Sequence, residues 1–173
     1  YIQTTPIQLC LMTAQIANGG YKIYPKIVMD DENKVSPIDK FTPLYKNSKN
    51  IKIVQDAMFA STNEVRGTSY RSRIDDPKYQ FAGKTGTAQV KKITERDREL
   101  DLKTFQIPYE ERDHALYIAY GPYKNPRYAV SILVEHGGNG STTAAPMAKK
   151  LFKTIIDRHQ LRESINNKKY LDI

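Results

Sequence analysis

Two apolar segments joined by a short turn place the strongest constraint on the fold of this chain. Residues 114–121 (HALYIAYG) and 128–136 (YAVSILVEH) are rich in the β-branched and aromatic residues that strands prefer. The turn between them, PYKNP, is short and holds Pro122 and Pro126. These features predict an antiparallel hairpin.

A third strand is predicted over residues 80–90, and it contains the unusual stretch AGKTGTAQV. Glycine inside a strand lowers its stability, and it commonly marks a bulge or a place where a ligand or another backbone comes close. Lys84, Thr85 and Gly86 are therefore candidate binding residues. Without its flanks, the stretch would equally suit a lysine that reaches out from a strand beside a glycine bulge.

Helices are predicted on both sides of these strands along the sequence. Thr5 as the N-cap and Pro6 at the first helical position begin a helix that closes at Gly19 and Gly20. A second helix is predicted over residues 51–65. The inward-facing residues of these two helices are predicted to be Ile7, Leu11, Ala14, Ala17, Ile53, Val54, Ala57 and Met58.

A last helix follows the turn GGNGSTT and is predicted to end near His159. Residues 21–28 are predicted to be extended, and the polar, proline-bearing residues 30–50 are predicted to form a loop. The highly charged segment 91–112 between the first two strands is long for a compact domain, and we expect it to be mobile.

Antiparallel strands with packed helices predict an α+β fold. The folded part is expected to span residues 1–160, and residues 161–173 are expected to form a polar tail. The chain has no apolar run of the roughly 18 to 20 residues that a membrane-spanning helix needs. It starts at Tyr1, within a patterned segment, which suggests a piece of a longer protein with any anchor or signal lying upstream.

The net charge of +8 invites a nucleic-acid interpretation, but the basic residues are scattered and no recognised nucleic-acid-binding motif occurs. The single Cys10 cannot form an intramolecular disulfide. His114, His136 and His159 have no nearby partners at metal-ligand spacing. We therefore expect no nucleic-acid partner, no metal and no cofactor.

The flanks of Lys84 to Gly86 resemble one enzyme family throughout. K-T-G on a strand is one signature of the penicillin-recognising serine enzymes. The opening YIQTTPIQLCLMTAQIANGG, the stretch GKTGTAQV, the hairpin RDHALYIAYGPYKNP and the segment YAVSILVEHGGNGSTTAAP are similar, in that order, to class B penicillin-binding proteins. The resemblance covers residues 1–159 and is strongest to the branch that serves rod-shape elongation.

The resemblance implies a penicillin-binding transpeptidase domain whose parent cross-links peptidoglycan stem peptides through an acyl-enzyme that β-lactams trap. Lys84 and Thr85 would bind the carboxylate of a stem that ends in D-alanyl-D-alanine. Gly86 would leave room for an extended peptide along the strand edge. The backbone N–H of Thr87 would complete half of an oxyanion hole.

The resemblance also implies a parent at the periplasmic face of the inner membrane, attached only through an N-terminal anchor that this chain lacks. Its partner would be a shape-elongation glycosyltransferase, and no cofactor is implied. The fragment itself is expected to be soluble.

The sequence departs from the family in one respect, because none of its eight serines has a lysine three residues later. The nucleophile of the S-x-x-K motif is therefore absent, and an acyl-enzyme cannot form without an activated serine. Two S-x-N matches, residues 61–63 and 164–166, lie outside the order the family requires. We interpret the chain as the C-terminal part of the domain, inactive alone.

Two other interpretations share these residues. A serine β-lactamase or a penicillin-sensing receptor domain would also carry K-T-G, although the long first helix segment favours the transpeptidase. A non-catalytic binding module that starts near Tyr1 would never have had a nucleophile. The gene sequence upstream of Tyr1 distinguishes among them.

Overall fold

The computed structural model describes residues 3–25, 27, 42–92, 95 and 102–171. Its helices and strands, in chain order, are α1 (Pro6–Ala17), α2 (Ser48–Asn63), β1 (Ala82–Ala88), β2 (His114–Gly121), β3 (Tyr128–Val134) and α3 (Ala144–Leu171). Short 3-10 turns occupy Tyr70–Ser72, Thr104–Gln106 and Tyr109–Glu111.

The three strands form one antiparallel sheet in the order β1-β2-β3. Thr85 of β1 lies opposite Tyr117 of β2, which in turn lies opposite Ile132 of β3. The predicted antiparallel hairpin is therefore confirmed, although β3 ends at Val134, two residues before the predicted end. Because β1 ends the order, its outer edge has no strand partner among the described residues.

Helix α3 covers one face of the sheet. The ring of Phe152 in α3 stacks on Phe81, which directly precedes β1, with the ring centroids 4.9 Å apart. Small residues at the start of α3 let the helix approach the strands closely. The other buried residues of this core are Ala115, Tyr117, Ala119, Ala144, Ala145, Ala148 and Ile156.

Helices α1 and α2 cover the opposite face. The core on this side is smaller, with Met58, Ala82 and Tyr120 fully or almost fully buried. The Gln55 side chain of α2 donates a hydrogen bond to the carbonyl oxygen of Ile16 in α1 at 2.7 Å, so the two helices are tied together. Helices on both faces of an antiparallel sheet confirm the α+β fold.

The signals that begin and end α1 act as predicted. The Gln8 N–H donates to the Thr5 hydroxyl, and the Thr5 N–H donates to the Gln8 side chain at 2.8 Å, which makes a capping box. Gly19 and Gly20 follow the helix with φ of 93° and 86°, in the left-handed region that glycine tolerates.

Helix α2 begins earlier and ends earlier than predicted. Its first residue is Ser48, because the Asn47 side chain accepts a hydrogen bond from the Lys49 N–H at 2.9 Å and caps the helix there. The predicted loop over residues 30–50 is therefore wrong at its end, and residues 30–41 lie outside the described residues.

The predicted extended segment 21–28 is not a strand in the part that the structure describes. Tyr21 forms an isolated bridge with Pro43, and residues 22–25 have no regular structure. Residues 26 and 28 lie outside the described part of the chain.

Helix α3 continues well past the predicted end at His159 and reaches Leu171, so that prediction is wrong. The His159 side chain contacts the Glu163 carboxylate at 2.9 Å one turn later, and Arg127 pairs with the same carboxylate at 3.0 Å. A polar sequence continues a helix when such pairs support it, although it adds nothing to the core. The domain division at residue 160 stays a prediction.

The predicted burial of the first two helices is partly wrong. Met58 is buried as predicted, but Ile7, Ile53 and Val54 keep 51%, 65% and 40% of their surface exposed. Periodicity identifies an apolar face, but it does not show that a neighbour covers that face. In this structure the sheet covers α2 around Met58 and Phe59 and at Thr62, whose hydroxyl contacts Tyr117 of β2.

The segment between β1 and β2 is described at both ends. The Lys91 ammonium pairs with the Glu111 carboxylate at 2.6 Å, and the Arg112 guanidinium donates to the Ile107 carbonyl oxygen at 2.9 Å. Residues 93, 94 and 96–101 lie outside the described residues, and the expected mobility of 91–112 stays a prediction.

Candidate functional site

The candidate residues lie on β1, the edge strand. Residues directly opposite each other in an antiparallel pair share a face of the sheet. Lys84 lies opposite Ile118, which packs toward α1 and α2, whereas Thr85 lies opposite Tyr117, which belongs to the core under α3. Lys84 and Thr85 therefore belong to opposite faces of the strand, although their polar ends meet at its open edge.

The Lys84 side chain is exposed and curls back over its own strand. Its Nζ donates to the Thr85 carbonyl oxygen at 2.9 Å and lies 3.5 Å from the Thr85 hydroxyl oxygen. Within the described part of the chain, it has no carboxylate partner. Its positive charge is therefore available for an anionic ligand.

The Thr85 hydroxyl contacts Thr68, from the segment that follows α2, and Thr68 in turn contacts Ser61 in the last turn of α2. The Thr85 Oγ1 lies 3.2 Å from the Thr68 Oγ1, which lies 3.1 Å from the Ser61 Oγ. We call Ser61, Thr68 and Thr85 the hydroxyl row. It connects the last turn of α2 to the candidate binding strand.

A buried hydroxyl cluster of Thr62, Ser69 and Tyr117 lies behind this row. The Tyr117 hydroxyl contacts Thr62 Oγ1 at 2.9 Å and Ser69 Oγ at 3.1 Å, and all three residues are at most 1% exposed. Burial raises the pKa of Tyr117, although its hydrogen bonds with Ser69 and Thr62 oppose that rise. The cluster therefore stays neutral and fixes residues 61–69 against β2.

Gly67 makes the turn from α2 to Thr68 possible. A Cβ atom on Gly67 would lie 2.3 Å from the carbonyl oxygen of Ser61, which is far too close for any other residue. The Ser61 carbonyl oxygen also accepts hydrogen bonds from the Ser69 N–H and the Ser69 hydroxyl, both at 3.0 Å. This tight turn is what brings Thr68 beside Thr85.

Gly83 and Gly86 have different surroundings on β1. A Cβ atom on Gly83 would lie 2.4 Å from the Tyr117 hydroxyl oxygen, so the buried hydroxyl cluster requires glycine there. A Cβ atom on Gly86 would meet only the Leu116 Cβ, at 3.3 Å. The space beside Gly86 is otherwise open, as a peptide along this edge would need, and its predicted role stays a prediction.

Thr87 is exposed and lies opposite Ala115 near the end of β1. The predicted contribution of its backbone N–H to an oxyanion hole remains a prediction. An oxyanion hole also needs a nucleophile at a matching position, and no S-x-x-K serine occurs in the sequence.

An apolar groove of about 560 Å³ lies between α2 and the strand edge beside Lys84. Its walls include Ile53, Val54, Ala57 and Met58, the residues of α2 that were predicted to face inward. The groove places apolar surface directly beside the Lys84 ammonium. This arrangement suits a ligand with an anionic group next to an apolar one.

The two S-x-N matches make contacts within the fold. The Asn63 side chain donates to the carbonyl oxygens of Phe59 and Phe81, both at 3.0 Å, and so ties the end of α2 to the start of β1. The Ser164 hydroxyl donates to the Leu161 carbonyl oxygen at 2.8 Å on an exposed part of α3. Only the first match lies near the candidate site.

Sequence reasoning missed Thr68 and the position of Ser61 in the site. Ser61 and Thr68 lie 24 and 17 residues before Thr85. Ser61 begins the S-x-N match of residues 61–63, which was set aside because it lies outside the order that the family requires. The signal available for Thr68 was Gly67, which follows α2 and suggests a tight turn.

Two absences hold for the residues described above. No group of three or more His, Cys, Asp or Glu side chains in this part of the chain is arranged to hold a metal ion. Across residues 3–25, 42–92 and 102–171, no helix combines the length and the apolarity needed to cross a membrane.

Comparison with known proteins decides the family. The sequence profile of the penicillin-binding protein transpeptidase domain matches residues 2–156. The chain belongs to this family. The resemblance inferred from the K-T-G strand and its flanks is thereby confirmed.

Relatives of this chain include proteins named peptidoglycan D,D-transpeptidase MrdA. The enzyme from Salmonella typhimurium strain LT2 is 31% identical over 169 residues, which cover 91% of this chain and 26% of the relative. The enzyme from Haemophilus influenzae is 32% identical over 163 residues, covering 91% of this chain and 24% of the relative. The chain therefore spans about a quarter of the length of these relatives.

Solved structures agree with the sequence comparison. The structure of Pseudomonas aeruginosa PBP2 in complex with WCK 5153 matches with a TM-score of 0.67 and 34% identity over 89% of this chain and 31% of that one. The complex of PBP2 and MreC from Helicobacter pylori matches with a TM-score of 0.66 and 30% identity over 89% and 25% of the two chains.

Proposed function

We propose that this chain is the C-terminal part of a PBP2-type peptidoglycan D,D-transpeptidase and supplies the substrate-binding strand of its active site. The observation that carries the proposal is the position of Lys84, Thr85 and Gly86 on the open edge of β1, within a domain of the penicillin-binding family. The relatives named D,D-transpeptidase support the reaction class.

The proposed role of β1 follows from the chemistry of the substrate. A stem peptide that ends in D-alanyl-D-alanine carries a carboxylate next to the amide that is cleaved. The Lys84 Nζ and the Thr85 Oγ1 lie close together at the strand edge. Together the ammonium and the hydroxyl supply a charge-assisted contact for that carboxylate. The open edge beside Gly86 accommodates the extended peptide.

The covalent step needs a residue from outside this chain. The serine hydroxyl of the parent would attack the amide carbonyl, pass its proton to a base and release D-alanine with that proton on the new amine. The amine of a neighbouring stem would then attack the ester carbonyl and pass a proton to the base, and the serine oxygen would leave and take up that proton as the cross-link forms. The Thr87 backbone N–H would stabilise the oxyanion in both steps.

Location and partners of the parent protein are part of the same proposal. A peptidoglycan cross-linking enzyme acts where its substrate is, at the periplasmic face of the inner membrane, and we propose an anchor upstream of this chain. A shape-elongation glycosyltransferase is the proposed partner, because cross-linking and polymerisation act on the same strands. PBP2 from Helicobacter pylori has been solved in complex with MreC, which supports the proposal that the parent protein binds other proteins.

Intact-mass spectrometry after incubation with excess benzylpenicillin tests the proposal. The purified 173-residue chain is expected to form no covalent adduct, because no serine has the S-x-x-K context. The longer protein, obtained by reading the gene upstream of Tyr1, is expected to gain the mass of one penicillin. An adduct on a serine of this chain, such as Ser61, would contradict the fragment interpretation, and an unmodified longer protein would contradict the transpeptidase.

A further inference from the structure

We propose that Thr68 is a positioning residue that aims the Thr85 hydroxyl at the substrate carboxylate, with Ser61 as the end of the row behind it. The proposal rests on the function proposed above. The observation behind it is the hydroxyl row itself. The hydroxyl oxygens of Thr68 and Thr85 lie 3.2 Å apart, and those of Thr68 and Ser61 lie 3.1 Å apart.

The direction of these hydrogen bonds follows from counting protons. A hydroxyl has one proton to donate and can accept through its lone pairs. When Thr85 donates its proton to a carboxylate, its contact with Thr68 requires that Thr68 donate to Thr85. Thr68 then has no proton left for Ser61, so Ser61 must donate to Thr68.

All three hydroxyls of the row thus point their protons toward the carboxylate. Hydrogen bonds in such a chain polarise one another, and a bond to a charged acceptor is stronger than a neutral one. A carboxylate is the ligand that gains from this alignment. A neutral group at the same place gains less, because it does not draw the protons in one direction.

The position of the hydroxyl row is fixed by Ser69 and Tyr117, neither of which belongs to the row. The Ser61 carbonyl oxygen accepts from both the N–H and the hydroxyl of Ser69, and Ser69 belongs to the buried hydroxyl cluster with Tyr117. Tyr117 lies directly opposite Thr85 in the sheet. Thr68 is therefore fixed relative to Thr85, because its neighbour Ser69 is bonded both to Ser61 and to Tyr117.

Thr68 is a suitable residue to vary because its own side chain is exposed. Valine has the shape of threonine without the hydroxyl, so Thr68→Val removes the donor and keeps the packing. Thr68→Ser keeps the donor. Thr154→Val, at an exposed threonine on α3 away from β1, is the matched control.

The measurement is the second-order rate constant for acylation of the longer protein by benzylpenicillin and by its methyl ester, which lacks the carboxylate charge. We expect Thr68→Val to slow acylation by benzylpenicillin about fivefold, the scale of one lost hydrogen bond between two hydroxyl groups, and to leave the ester rate nearly unchanged. Thr68→Ser is expected to restore the rate, and Ser61→Ala to slow it by only about twofold.

The outcomes separate this inference from the proposed function. If the wild-type protein reacts but Thr68→Val reacts equally fast with benzylpenicillin, the positioning role is wrong and the transpeptidase stands. Equal losses with both compounds mean that Thr68 only supports the fold, which also overturns the inference. A wild-type protein that is not acylated overturns the proposed function and this inference together.

Discussion

Replacing Gly83 by alanine is expected to destabilise the fold strongly although only one methyl group is added. The new Cβ would lie 2.4 Å from the Tyr117 hydroxyl oxygen and 2.5 Å from the ring carbon that carries it. The φ of Gly83 lies outside the left-handed region, so the effect is purely steric. Tyr117 is fully buried and cannot swing away into solvent.

The expected loss is about 3 kcal/mol. Forcing an extra methyl group into a packed core costs about 1–3 kcal/mol. Moving the Tyr117 ring also strains its hydrogen bonds to Thr62 and Ser69, at 2.9 Å and 3.1 Å, and a buried hydroxyl left without a partner costs about 1–3 kcal/mol. Partial relaxation of the cluster keeps the total in the lower half of the combined range.

Urea unfolding of the 173-residue chain, followed by far-ultraviolet circular dichroism, measures this loss. Gly86→Ala is the matched control, because it lies three residues away on the same strand, and its new Cβ meets only Leu116 at 3.3 Å. We expect the control to change stability by less than about 1 kcal/mol. A Gly83→Ala variant no less stable than Gly86→Ala would refute the steric account of the buried hydroxyl cluster.

Two further predictions concern charge. Lys84→Ala in the longer protein should slow acylation by benzylpenicillin at least about tenfold while changing the methyl ester rate little, because the lost contact is charge-assisted; equal losses would indicate a structural lysine. Limited proteolysis should cut within 91–112 before any other internal segment, because its charge leaves little apolar surface to offset the entropy of ordering it; first cleavage elsewhere would contradict this.

The sequence predicts the strands of this protein better than its helices. The bounds of β2 match the prediction at both ends, because a compact apolar run between turn residues leaves few alternatives. Helix α2 was misjudged in burial, since Ile53 and Val54 form the apolar groove beside Lys84 instead of a core. A periodic pattern shows where apolar side chains point, and the contacts that cover them depend on distant residues.

The candidate site was also predicted only in part from the sequence. Lys84, Thr85 and Gly86 were predicted from a tripeptide and its flanks, and the structure places them on an open strand edge. The contact between Thr68 and Thr85 joins residues 17 positions apart through a turn, and no local signal in the sequence specifies it. The proposed binding residues form a motif in the sequence, whereas Thr68, the residue proposed to position Thr85, belongs to no such motif.

The structure assigns residues 61–69 a larger part in this site than their sequence suggests. Gly67 permits the turn, Ser69 and Tyr117 anchor it, and Thr68 reaches the strand edge. The contacts that fix this turn are made by hydroxyl and backbone groups of residues near Thr85. A substitution in this turn that disturbs Tyr117 or Thr68 would therefore alter the position of the Thr85 hydroxyl, which we propose contacts the substrate carboxylate.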